Sequence, residues 1–318
     1  VSDANLVLGR LSEVLIGGSM RLDREASNKA IQPLADELGI DIPAAAAGIL
    51  QVVAANMVRA IRAVSVERGH DPRQFALVAF GGAGGLHGVE VARQLGMREV
   101  IVPRSPGILC AHGLIVADLK ESFVTTHRVV VDRTPMDEIK APLEGLITAA
   151  RDWYDREGIP TDARQTTLAL DMRYLGQNYE IEVEIDAAEG DRPPCLPDLE
   201  DVKRRFFAEH ERAYGHHDPD AAVELVNLRV TAVGQLARPA GPARHVADGA
   251  GRPRSHRPVW FTGEAPVEAP VYAREDFAPG AAIPGPAIVD QLDATTVLWP
   301  NDTAWVDDGL NLIIEVAP

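Results

Sequence analysis

An α/β fold with parallel strands is predicted by one stretch of this 318-residue sequence. Ala76-Leu77-Val78-Ala79-Phe80 is a continuous apolar run, as expected of a strand buried on both faces. It leads into Gly81-Gly82-Ala83-Gly84-Gly85, then a helix from about Leu86 to Leu95 closed by Gly96, then a second strand, Val100-Ile101-Val102. Strand, glycine turn, helix, strand is a βαβ unit, which requires a parallel pair.

The elements before it are helical. Residues 1–40 read as two short helices, the second capped by Asp23 and ended by Gly39. Pro43 opens a long helix over about 43–68, where Leu50, Val53, Ala54, Met57, Ile61 and Val64 recur at three- and four-residue spacing, so one face is buried. After the βαβ unit, an apolar helix from Ile108 to Leu119 is expected to pack on the sheet. Beyond residue 125 the texture changes. Val129 to Val131 reads as a strand and 135–157 as an amphipathic helix, while Leu168 to Tyr174 and Tyr179 to Ile185 alternate like a hairpin. Residues 199–214 read as a helix and Glu224 to Val233 as a strand. Residues 236–257, rich in Pro, Gly, Ala and Arg, read as a flexible loop. The last sixty residues read as short β segments of a small sandwich or barrel. The resulting division is 1–125 and 126–318, the latter ending in a β-rich module over 258–318.

Composition narrows the function classes. A formal charge of −16 argues against nucleic acid or an anionic membrane surface as partner. Residues 1–125 hold 12 Lys+Arg against 13 Asp+Glu, so the acidic excess lies in the second part and the first is the better host for a polyanion. No stretch reads as a membrane span or signal peptide. Two cysteines, Cys110 and Cys195, make no disulfide framework, and a reducing cytoplasm is the expected compartment. The first residue is Val1, which suits a fragment, a processed chain or an alternative start.

The glycine turn is the main candidate site. Gly81, Gly82, Ala83, Gly84 and Gly85 carry almost no side chain, so backbone N–H groups can approach a phosphate or sugar, and the helix N-terminus adds unpaired donors. The same glycines also allow tight strand–helix packing, and the residues alone leave both uses open. The dinucleotide fingerprint fails, because from Gly82 its third glycine position is His87. A P-loop fails because no lysine lies between Lys29 and Lys120. His87, one turn into the helix, is either a ligand contact or a packing residue. Cys110 and His112 have no metal spacing and read as packing residues. His216-His217-Asp218, between Gly215 and Pro219, reads as a solvated turn. Asp171, Arg173 and Tyr179 read as interface or turn groups. Ser65 lacks an identifiable base and is not a nucleophile candidate.

Several motifs in order resemble the hydantoinase A/oxoprolinase family: Asp3-Ala4-Asn5-Leu6-Val7-Leu8-Gly9-Arg10, Ser65 to Arg73, Phe80 to Gly84 with Leu86-His87, Asp171 to Gln177, Tyr214-Gly215-His216, and Gly285-Pro286-Ala287-Ile288. They span nearly the whole chain. The family commonly has Pro at the position of Gly85 and a small-residue version of the Cys110-Ala111-His112-Gly113 stretch. The resemblance implies an actin-like, ribonuclease-H-like ATPase fold of two lobes with ATP and Mg²⁺ in the cleft. Gly81 to Gly85 match the turn that holds adenosine, and Asp3, Asn5 and His87 would lie near it. The family's two phosphate-binding Asp-x-Gly-Gly-Thr hairpins have no counterpart in this sequence. The chain therefore resembles the last part of the second lobe plus the family's C-terminal domain. The activity implied is ATP-dependent opening of a cyclic amide or imide, or, as alternatives, acetone- or acetophenone-type carboxylation or a non-catalytic docking role. The partners implied are an upstream N-terminal half carrying the phosphate hairpins and a hydantoinase B-like subunit.

Overall fold

The computed structural model describes residues 1–237, 249 and 251–317. Of the loop expected over 236–257, residues 238–248 and 250 lie outside the described residues. The chain forms two compact units, Val1–Leu114 with Gly241–Pro318, and Ile115–Ala240.

The first unit begins with α1 (Ser2–Val7), a short hairpin of β1 (Val14–Leu15) and β2 (Met20–Arg21), α2 (Arg24–Leu38) and α3 (Ile42–Val64). Asp23 caps α2 by accepting from the Glu25 and Ala26 N–H groups, and Gly39 ends it at φ 66°. Asp41 caps α3 on the Ala44 N–H, with Pro43 in the first turn. These three helices share a core of Ala4, Leu8, Ile31, Ala35, Ala46 and Leu50. The βαβ unit follows as expected: β3 (Leu77–Val78), α4 (Gly84–Leu95) and β4 (Glu99–Val102), with β3 and β4 parallel. After it come α5 (Leu109–Val116) and the second unit.

The second unit is an antiparallel sheet with two helices. Its elements are β5 (Leu119–Val130), α6 (Met136–Arg156), β6 (Arg164–Tyr174), β7 (Ile181–Glu189), α7 (Leu199–Tyr214) and β8 (Val223–Gly234), with strand order β5-β8-β6-β7. Apolar residues of α6 and α7, among them Leu143, Tyr154 and Phe206, pack on Leu168, Leu170, Val183 and Leu228. The Tyr154 hydroxyl donates to Gln165 O at 2.6 Å.

The chain then returns to the first unit through β9 (Ser255–Val259), β10 (Val267–Ala273), β11 (Ala282–Pro284), β12 (Ala287–Asp290), β13 (Thr295–Leu298), β14 (Thr303–Val306) and β15 (Leu312–Glu315). One sheet has the order β13-β12-β10-β9. The other, β11-β14-β15-β4-β3, places the last strand antiparallel beside β4, with Ile313 opposite Ile101. By contacts, residues 258–317 fall with the first unit. Among them β11, β14 and β15 extend the sheet that the βαβ unit starts, and Val100, Val102, Leu312 and Ile314 share one core.

Four further expectations are corrected. The strand over 76–80 is only Leu77–Val78, at a sheet edge, and Val78 and Phe80 are each 47% exposed rather than buried on both faces. The helix expected over 108–119 ends at Val116; no residue in it is buried, so it does not pack on the sheet, and Cys110 and His112 are exposed rather than packed. β5 starts at Leu119, ten residues before the strand expected at Val129. The stretch Ile42–Arg68 is long and apolar enough, by length and composition, to cross a membrane, with a mean hydropathy of 1.6.

Candidate functional site

The glycine turn divides into an open tip and a packed base. Gly81, at φ +83°, donates its N–H to Pro106 O at 2.7 Å, and Gly84 N–H donates back to Gly81 O. A Cβ on Gly81 would meet nothing within 4 Å, and Gly82 and Ala83 are exposed. At the base, a Cβ on Gly84 would lie 3.2 Å from the Ala79 carbonyl carbon. One on Gly85 would lie 2.6 Å from Thr296 Oγ1 and 2.7 Å from Thr295 O, and one on Gly88 would lie 2.9 Å from Ala79 Cβ. Of the two uses that the residues left open, tight packing is present at the base of the turn. Gly84 and Gly85 let α4 sit against β13 and the end of β3, while the tip faces outward. No side chain caps α4, whose N-cap residue is Ala83; within its first turn the Gly84 N–H donates to Gly81 O and the Leu86 N–H to Ala83 O.

His87 is buried, 4% exposed, and neither ring nitrogen has a hydrogen-bond partner. Burial pushes its pKa down first, and the positive charges of Arg10 and the Val1 amino group push the same way. The ring is therefore neutral near pH 7. The sign of the resulting pH dependence follows directly. The unfolded histidine takes up a proton around pH 6.5, whereas the folded one resists it. Stability present above that pH is lost as pH falls toward the lower folded value. Urea midpoints between pH 7 and 5 should fall more steeply for the native chain than for His87→Gln; equal slopes would refute this.

Asp3 and Asn5 are placed by α1. Asp3 accepts from the Ser27 hydroxyl at 2.7 Å, tying α1 to α2. Asn5 is fully buried; its amide N–H donates to Val1 O, and its Oδ1 has no partner. The residues that sequence reasoning missed lie close by. Arg10, 2% exposed, donates to Trp260 O and Phe261 O and lies 3.7 Å from Glu90. Burial pushes Glu90 up in pKa, and Arg10 and Arg93 oppose this. The guanidiniums of Arg10 and Arg93 each lie about 5 Å from the Trp299 ring centroid. Arg93 also pairs at 2.7 Å with Asp302, which is buried. Asp293 accepts from the Gly107 N–H at 2.9 Å, and its carbonyl lies beside Gly82. Of these, only Arg10 sits in a motif that sequence reasoning singled out; the rest carry no local signal.

The remaining candidates sit in structural roles in the second unit. Asp171 accepts from Asn227 and Arg229, and Arg173 pairs with Glu224 and Glu180. Tyr179 is 80% exposed. His216 faces Tyr214 O, His217 pairs with Glu211, and Asp218 accepts from the Asp220 N–H, an Asx turn at the end of α7. No group of three or more His, Cys, Asp or Glu side chains able to hold a metal occurs among the described residues.

The match to known proteins extends over both units. A family model described as Hydantoinase/oxoprolinase matches residues 1–123, and one described as Hydantoinase/oxoprolinase C-terminal domain matches 132–313. Caprolactamase subunit alpha of Pseudomonas jessenii is 35% identical over 312 residues, which is 94% of this chain and 44% of that protein. The acetone carboxylase beta subunit of Xanthobacter autotrophicus is 26% identical over 323 residues, 96% of this chain and 44% of that protein. The crystal structure of the ATP-dependent caprolactamase from Pseudomonas jessenii superposes with a TM-score of 0.76 at 32% identity, over 100% of this chain and 47% of that one. The chain spans less than half the length of these relatives. With an α/β fold and a glycine turn in the βαβ position, and with models for both parts matching in order, the chain belongs to the hydantoinase/oxoprolinase family.

Proposed function

We propose that this chain is the adenosine-holding part of a cytoplasmic ATP-dependent enzyme that opens a cyclic amide or imide of the hydantoin or 5-oxoproline type. The observation that carries the reading is the outward tip of the glycine turn, Gly81 to Ala83, at the uncapped start of α4 in a member of this family. Backbone at Gly81, Gly82 and Ala83 approaches the nucleoside, Gly84 and Gly85 set the turn's geometry, and neutral His87 keeps positive charge away from the turn. Asp3 and Asn5, carried by α1, are the further nucleoside-side residues in this reading. ATP supplies a phosphoryl group that makes a carbonyl open to attack, with Mg²⁺ accompanying its phosphates. The phosphate hairpins belong to an upstream N-terminal half, and a hydantoinase B-like subunit shares the reaction. The likeness to the acetone carboxylase beta subunit supports a second reading, in which the same activation serves carboxylation of a ketone.

The test is Gly82→Val in the longest polypeptide its gene encodes. A Cβ there approaches only Asp293 O, at 3.4 Å, so the fold is expected to survive. Melting temperature is measured with and without Mg-ATP. Native protein should gain stability from the nucleotide and the variant should lose most of that gain. A variant that keeps the whole gain removes the nucleotide from this turn.

A further inference from the structure

A cavity of about 250 Å³ lies in the first unit, where the segments that follow β4, β10, β12 and β14 meet. It is smaller than the roughly 300–1,000 Å³ of drug-sized pockets, and none of the residues assigned above to the nucleoside lines it. Phe277, Leu292 and Val306 give it apolar walls, and Arg104 and Arg274 are its two basic residues. Its charges are unevenly satisfied. The two carboxylates of the lining are already engaged: Glu275 pairs with Arg254 at 3.0 Å, and Asp293 accepts from the Gly107 N–H at 2.9 Å and from Gln291 at 2.6 Å. Neither guanidinium has a carboxylate within 4 Å among the described residues.

Arg274 is 9% exposed; its Nη2 donates to the Leu310 carbonyl at 2.8 Å, and its Nη1, out of reach of water, has no partner. Burial pulls its pKa down to about 10, against the opposing charge of Asp307, which is itself occupied in accepting from Asn311. A cation taken out of water without a counter-ion is strongly disfavoured. An anion in the adjoining cavity offsets that through its field alone, without touching Nη1. The residue that holds Arg274 is strained as well. Leu310 lies at φ +63°, in the left-handed region that residues other than glycine seldom adopt, although Gly309 stands beside it. Strain of this kind gathers where a structure keeps a group ready for a ligand. We infer that the cavity binds a small monocarboxylate, its acid group on Arg104 and in the field of Arg274, its hydrocarbon part against Phe277, Leu292 and Val306. A carboxylate offers a guanidinium fork two parallel hydrogen bonds. Phosphate has no apolar part for these walls, and a second carboxylate would meet Glu275 and Asp293. Such a ligand is independent of what the glycine turn binds and of the reaction proposed above.

Hexanoate, hexylamine and inorganic phosphate are titrated by NMR, without nucleotide, into the longest polypeptide the gene encodes. Hexanoate should bind once per chain with a Kd of about 1 mM or tighter, the scale of a small ligand held by one ion pair and a few apolar contacts. Phosphate should bind at least tenfold more weakly, and hexylamine should not bind. Arg104→Gln should weaken hexanoate at least tenfold and leave the melting temperature unchanged, because Arg104 is only partly buried and leaves no carboxylate unpaired. Leu292→Asp, at a position 68% exposed on the cavity wall, should weaken it by a similar factor and likewise spare the fold. No binding of hexanoate, binding of hexylamine, phosphate binding as tight as hexanoate, or hexanoate binding unchanged in either variant would each overturn the inference. Omitting ATP keeps these outcomes separate from the glycine-turn test.

Discussion

Replacing Asp302 with alanine is expected to lower stability by about 3 kcal/mol or more, the scale seen when one partner of a buried charged network is removed. Asp302 is 1% exposed. One carboxylate oxygen accepts from Arg93 at 2.7 Å and from the Ala317 N–H at 2.9 Å, and the other accepts from the Trp299 N–H at 3.0 Å. Alanine leaves two backbone donors and a guanidinium without acceptors. Each unsatisfied buried group costs roughly 1–3 kcal/mol. Arg93 is 30% exposed, and water reaching it softens its share. The effect is large because this one side chain ties α4, the turn before β14 and the chain end after β15 together. Urea unfolding followed by tryptophan fluorescence reads it directly. A loss below about 1 kcal/mol, the level of a single ordinary hydrogen bond, would show that Asp302 is not such a tie.

Gly85→Ala should cost about 3 kcal/mol, at the upper end for overpacking a tight contact. The added carbon would sit 2.6 Å from Thr296 Oγ1, 2.7 Å from Thr295 O and 3.1 Å from Thr296 Cα. Two of those three atoms belong to the β13 strand itself, which cannot turn aside as a side chain would. Helix propensity favours alanine by about 1 kcal/mol in a helix interior and works against the loss, so a net destabilisation would be all the more telling. Gly82→Ala is the control, with a change within about 0.5 kcal/mol, as for a surface substitution. Equal melting temperatures for the two variants would contradict the division of the turn into a packed base and an open tip.

Some of this protein was legible from local sequence alone. Helix α7 matches its expected span, Leu199–Tyr214, and α2 begins and ends at Asp23 and Gly39, because caps and period are properties of neighbouring residues. The parallel pairing of β3 with β4 followed from the order of strand, turn and helix. The glycine turn was visible as a tight connection between a strand and a helix because its composition has few uses. Three things were decided only by tertiary structure. The pairing of β15 with β4 joins residues more than two hundred positions apart, and nothing in Leu312–Glu315 names its partner. The burial of Val78 and Phe80 was misread because an apolar run predicts that a surface wants cover, not that cover is present. The roles of Gly84 and Gly85 depend on Ala79, Thr295 and Thr296, which approach from other elements. Sequence sets local torsions and the pattern of apolar faces. Which faces meet, and which glycine lies beneath a backbone, is set by the packing of distant segments.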